Sequence, residues 1–202
     1  MNTVNHRVKL AGTLYMVGGA MWFLWIVGAT ALGVPYDQPQ TIAFYGAEAI
    51  FVILQSLLLV GFFGIWWSGG VRQGLFGKIA FGLGALGHLL FVLLEAHSLF
   101  LGDLSPLFPL APLVSAVGIL LTGIAVLTAK QWQGWTRWMP LLTGLYPWLF
   151  MFPFLFIIGE PSNYAIGLWG LVRLVLGLAI RVQAEAERQA SASVEVRGGI
   201  TL

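Results

Sequence analysis

The sequence predicts an all-α, polytopic membrane protein: a six-transmembrane-helix bundle with both termini in the cytoplasm. Three observations predict it. Hydrophobic residues make up 58% of the 202 and charged residues only 9%, too few charges to cover a soluble domain of this size. Mean hydropathy is +0.87. Apolar stretches recur that are long enough to cross a bilayer, since a helix rises about 1.5 Å per residue and the hydrocarbon core is about 30 Å thick. Finally, the loops between these stretches alternate between basic and acidic along the chain.

The chain opens on a short basic segment, MNTVNHRVK, followed by a first span over 10–34. Ala29-Thr30-Ala31 resembles a signal-peptidase site. The apolar stretch is longer than the about 7–15 residues of an ordinary h-region, so a retained signal-anchor helix is expected. The turn-rich VPYDQPQ leads into a second span, 42–67, closed by Ser68-Gly69-Gly70 and a loop carrying Arg72. The third span, 77–102, carries His88, Glu95 and His97. A proline-punctuated loop over 103–112 overlaps the start of the fourth span, 110–129, and a Trp-rich connection leads to the fifth, 138–158. Pro140 suits a first helical turn, whereas Pro147 and Pro153 are expected to kink the helix and free backbone carbonyls. The sixth span is 163–180. The transmembrane domain thus covers 1–182, and 183–202 reads as a polar cytoplasmic tail that starts helical and then frays.

Orientation follows from the basic residues. Arg7, Lys9, Arg72, Lys78, Lys130, Arg137, Arg181, Arg188 and Arg197 fall on one side of a six-span arrangement. The opposite loops hold Asp37, Asp103 and Glu160 and neither lysine nor arginine. The positive-inside rule then places both termini in the cytoplasm; the expected location is the cytoplasmic membrane of a prokaryote. Losing or adding one span would scramble this pattern. Trp66, Trp67, Trp132, Trp135 and Trp138 sit at span ends, as an interfacial belt requires. Gly12, Gly19 and Ala20 recur as Gly77, Gly84 and Ala85, a faint parallel repeat that helix packing alone also produces.

Ionisable groups within the spans mark the candidate site, because each is costly there: even the gentlest scale gives about 2.5–3.5 kcal/mol for a lone charge at the bilayer centre. His88 and Glu95 are seven residues apart and share a helix face, as do Glu48 and Gln55 on the second span. The sixth span supplies Arg173. Counting from span ends places Glu48 and Glu95 roughly 7–10 Å to the extracytoplasmic side of the midplane, with His88, Gln55 and Arg173 close to it. One internal cluster is expected, with Arg173 neutralising a carboxylate and the other glutamate protonated or bonded to His88. Tyr146 and Trp148 on the kinked fifth span and Trp169 on the sixth are expected to supply aromatic walls. His97 points away from Glu95 and is expected to bond headgroups or loop carbonyls.

Several chemistries are excluded or left without support. The absence of cysteine removes disulfides, thiolate metal sites and cysteine nucleophiles. A metal site on one helix wants spacings of three or four, and the histidines and Glu95 are seven and two apart, so no metal site is expected. Lys78 and Lys130 sit at the cytoplasmic ends of spans, where neither suits a Schiff base, and nothing in the sequence specifies a cofactor. The net charge of +2, unclustered, does not point to nucleic acid. The expected partners are the lipid bilayer, a small amphipathic ligand and other membrane proteins. Three functions fit the cluster: binding or moving a small amphipathic ligand or proton, serving as a non-catalytic subunit or assembly factor of a membrane complex, and acting as an intramembrane enzyme on a lipid or isoprenoid with the glutamates as acid and base.

Overall fold

Several helix ends follow from local backbone chemistry. A computed structural model describes residues 3–71 and 74–198, with side chains placed between 4 and 186. Its helices are α1 (Thr3–Ala31), α2 (Ile42–Trp67), α3 (Leu75–Leu101), α4 (Leu110–Ala129), α5 (Met139–Tyr146) and α6 (Asn163–Gly198). Thr41 caps α2, its hydroxyl accepting the Phe44 amide at 3.1 Å. Gly102, with φ +70°, terminates α3 in the left-handed conformation that glycine adopts without strain. A turn at Thr136–Trp138 leads into α5, whose first turn contains Pro140. After Tyr146 the backbone widens into π-type turns at Pro147–Met151 and Phe154–Ile158. Proline cannot donate the helical hydrogen bond, and the expected disturbance of the fifth span takes this widened form.

Six helical segments among the described residues are long and apolar enough to cross a membrane, the fifth running Thr136–Ile158. They pack in an antiparallel ring in which each helix contacts its neighbours in sequence and α6 returns to α1. Small residues set the closest approaches. Gly12 and Gly19 of α1 face Gly177 and Gly170 of α6, a seven-residue spacing on both helices run in opposite directions. Gly84 and Gly118 bring α3 onto α4, and Gly123 and Gly144 bring α4 onto α5. The equivalent Gly19 and Gly84 therefore meet different partners, α6 for the first and α2 and α4 for the second, and the faint sequence repeat corresponds here to helix packing.

Both termini of the bundle lie at one end. Lys9 pairs with Glu185 at 3.2 Å, Trp132 donates to the Ser68 hydroxyl at 3.1 Å, and the Gln183 amide bonds the Thr136 hydroxyl. These contacts tie α1, the α2–α3 and α4–α5 connections, and α6 together. Lys78, Lys130 and Arg137 lie on the same end, while Arg72 falls outside the described residues. Trp132 is buried, which removes it from the expected interfacial belt; Trp67, Trp135 and Trp138 are exposed and suit it. Two boundaries move. α1 starts at Thr3 rather than near residue 10, because its polar first turns pair with the extension of α6. α6 does not stop at 180 or fray after 183: it continues to Gly198, with Gln183 and Ala184 buried against the bundle.

The core is one large cluster that includes Tyr15, Phe62, Phe81, Phe91, Trp132 and Trp169. A smaller one, Trp22, Ile26, Ala47, Phe51 and Leu54, lies towards the end opposite the termini. At that end Gln40 donates its amide to the Gly102 carbonyl at 2.9 Å, joining the first and second loops. The Ser105 amide donates to Ser98 Oγ at 2.9 Å, and His97 Nδ1 bonds Ser105 Oγ at 3.0 Å. His97 thus serves the loop, folding the segment after α3 back over the bundle.

Candidate functional site

The folded loops and the upper halves of the helices enclose a cavity of about 400 Å³, opening at the end away from the termini. Its walls are largely aromatic. α1 contributes Trp22, α2 Phe44 and Phe51, α3 Phe91, the loop before α4 Phe108, and α6 Trp169. Two of these rings are held by backbone: Trp22 Nε1 donates to the Ile166 carbonyl at 2.9 Å and Trp169 Nε1 to the Thr143 carbonyl at 3.0 Å. A buried indole held in this way keeps its face fixed towards the space beside it.

Glu48 and Glu95 both line this cavity, 4% and 2% exposed. Their side chains lie within hydrogen-bonding reach of each other. Glu48 Oε2 has no hydrogen-bond partner among the described residues. Ionised carboxylates only accept, so two of them bond each other only through a shared proton. Asp37 stands at the rim, exposed. Two adjacent helices, α2 and α3, thus bring the glutamates to one cavity, while their seven-residue neighbours Gln55 and His88 do not line it.

Arg173 behaves otherwise than expected. It is fully buried, yet the one ion pair among the described residues is Lys9–Glu185, and Arg173 neutralises neither glutamate by contact. Its guanidinium stacks against rings instead, with Cζ 3.6 Å from the Trp169 centroid, 5.0 Å from that of Trp22 and 5.9 Å from that of Phe91. All three distances fall within cation–π range. Those rings line the cavity and Arg173 does not, so it lies behind the aromatic wall. Its Nε, Nη1 and Nη2 have no hydrogen-bond partner among the described residues.

His88 is likewise committed elsewhere. Its Nδ1 lies 2.8 Å from the Gly84 carbonyl, which only accepts, so Nδ1 carries the proton. Nε2 of the neutral ring then accepts the Tyr15 hydroxyl at 3.2 Å. Phe62 stacks on the imidazole at 4.8 Å between centroids. Both ring nitrogens are occupied, so the expected Glu95–His88 bond does not form. Gln55 is fully buried with neither amide atom bonded among the described residues. The polar residues thus divide into two levels: the carboxyl pair in the cavity, and Tyr15, His88 and Arg173 in the buried core beyond it.

Of the expected aromatic walls, Trp169 lines the cavity, whereas Tyr146 and Trp148 do not. Tyr146 donates its hydroxyl to the Ala165 carbonyl at 2.9 Å and faces a shallow groove on the outside of α5 and α6. The widened turns after Pro147 shift the helical phase, bringing Met151, Phe152 and Leu155 to the cavity. Tyr15, Trp22 and Phe91 were not singled out from the sequence. Trp22 carried a usable signal, since an aromatic ring with a polar atom far from both span ends does not belong to an interfacial belt; Tyr15, five residues into the expected span, did not. Among the described residues no group of three or more His, Asp or Glu side chains is arranged to hold a metal ion.

Comparison of the chain with protein-family models, with curated proteins and with solved structures finds no match to any of them.

Proposed function

We propose that this chain is an integral membrane protein that takes a small amphipathic molecule into the aromatic cavity and holds its polar end against Glu48 and Glu95. With both termini in the cytoplasm, the cavity opens to the extracytoplasmic face. The observation that carries the reading is the cavity itself: about 400 Å³, walled by rings, with two buried carboxyl groups on its surface. Ligand pockets are commonly about 300–1,000 Å³, mostly apolar, with a few converging polar groups. Below the cavity the core is closed by Tyr15, His88 and Arg173, each fully buried. A bundle open at one end and closed at the other suits a binding protein, or one state of a carrier.

Native mass spectrometry of the protein extracted in mild detergent tests this. The wild type is expected to carry a bound small molecule, and Leu155→Trp, which places an indole at the cavity's rim, to lose it. A wild-type protein that arrives empty and takes up no amphipathic compound would overturn the reading.

A further inference from the structure

The buried charges of the bundle do not balance. Glu48, Glu95 and Arg173 are the buried residues of formal charge among the described residues. Two carboxylates and one guanidinium leave a net charge of −1. The neighbouring titratable groups are engaged elsewhere: His88, neutral with Nδ1 donating to the Gly84 carbonyl, accepts a hydrogen bond from the Tyr15 hydroxyl, and His97 bonds Ser105 in the loop. At the mouth, Tyr36 is uncharged and Asp37 is solvated at the rim. From α4 and from the segment after α5, the cavity is met by Pro112, Met151, Phe152 and Leu155, none of them ionisable.

An interior with little polar surface is neutralised by a single added positive charge at the carboxyl pair. A proton does this by bridging Glu48 and Glu95. An organic cation does it from the cavity, with its head at the carboxyl pair and its body against the rings. Arg173 occupies one side of Trp22, Phe91 and Trp169. Phe44, Phe51, Phe108 and Phe152 also line the cavity and are not stacked by it, leaving aromatic faces for a second cation.

We infer that the cavity binds an organic monocation, an amine or quaternary onium group with an apolar body, in exchange for the proton bridging Glu48 and Glu95. This rests on the proposed ligand-binding reading and specifies its chemistry. No bond other than that to the proton changes: one cation enters, one proton leaves, and the net charge of the buried cluster stays constant. Because proton and cation compete for one site, affinity for the cation rises with pH by up to about tenfold per unit while the bridging proton is being displaced.

The test pairs two probes of the same shape and opposite charge, tetraphenylphosphonium and tetraphenylborate, on the purified full chain in detergent, with Leu155→Trp as the blank for micelle partitioning. Tetraphenylphosphonium is expected to bind and release about one proton per cation, counted with an indicator dye in weak buffer. Glu48→Gln and Glu95→Gln are each expected to abolish that release and to weaken binding at least about tenfold. The proton count on the wild type stands even if one variant fails to fold. Preferential binding of tetraphenylborate, or phosphonium binding without proton release, overturns this inference and leaves the pocket standing. Binding of neither probe, nor of any other amphipath, overturns both.

Discussion

A single methyl group at Gly19 tests whether the α1–α6 contact holds the site together. A Cβ built there would sit 2.7 Å from the Gly170 carbonyl oxygen and comparably close to the Leu174 amide nitrogen. Both obstacles are backbone, so no side chain can swing away. Restoring ordinary contact near 3.4–4 Å requires α1 and α6 to part by roughly 1 Å, which forfeits up to about half of each dispersion contact along the seam. Overpacking of this kind costs about 1–3 kcal/mol. Gly28 lies on the same helix with nothing within 4 Å of its built Cβ. Gly28→Ala should therefore gain the helix propensity of alanine, about 1 kcal/mol. Both variants gain that propensity, so they should differ by the overpacking cost alone, about 1–3 kcal/mol, or roughly 2–12 °C in melting temperature for a chain of this size. The assay is thermal unfolding in detergent followed by far-UV circular dichroism. Near-UV signal from Trp22 and Trp169, which flank the seam, should weaken in Gly19→Ala. A Gly19→Ala protein that melts with or above Gly28→Ala would refute the packing argument.

Three further outcomes are expected. Tyr15→Phe leaves His88 Nε2 buried without its donor and should cost about 1–3 kcal/mol by the same melt; an unchanged melting temperature would remove the Tyr15–His88 bond from the account. Trp132→Phe breaks the buried bond to Ser68 and should cost about 1 kcal/mol, whereas exposed Trp138→Phe should change detergent stability by less than about 0.5 kcal/mol; equal effects would contradict the buried placement of Trp132. The chain has no native cysteine, so single cysteines report sidedness cleanly. Asp37→Cys and Asp103→Cys should react with an impermeant maleimide on intact cells and Lys130→Cys only after permeabilisation; the reverse pattern would invert the orientation and turn the cavity to the cytoplasm.

The glutamates show how a site becomes legible from sequence. Glu48 and Glu95 stand out because a carboxyl in an apolar span has no inexpensive surroundings, and their depth follows from a fixed rise per residue. That they meet was inferable from matching depth on adjacent helices. Arg173 was equally visible as a residue but not as a contact. Opposite charge argued for pairing with a glutamate, yet its position on α6 turns it towards Trp22, Phe91 and Trp169. Tyr146 and Trp148 were misplaced because residue type does not say which way the kinked fifth span faces: Tyr146 lies on the outer groove, and after Pro147, where the turns widen, Met151, Phe152 and Leu155 reach the cavity instead.

What the sequence determined by itself is what depends on local composition and spacing. The number of spans, the ends of α2, α3 and α4, the basic and acidic ends, and the shared faces of Glu48 with Gln55 and of His88 with Glu95 all follow from a neighbour's distance along one chain, whereas the start of α1 and the end of α6 depend on each other. Tertiary structure alone decided which helix α1 packs against through Gly12 and Gly19, that the rings come between Arg173 and the cavity, and that His88 is bonded to Tyr15 73 residues away. The physical reason is the rotation of each helix about its own axis. Hydrophobicity sets that angle poorly when lipid and core are equally apolar, so close approach of glycines and satisfaction of buried polar groups set it instead, and both are properties of two helices together.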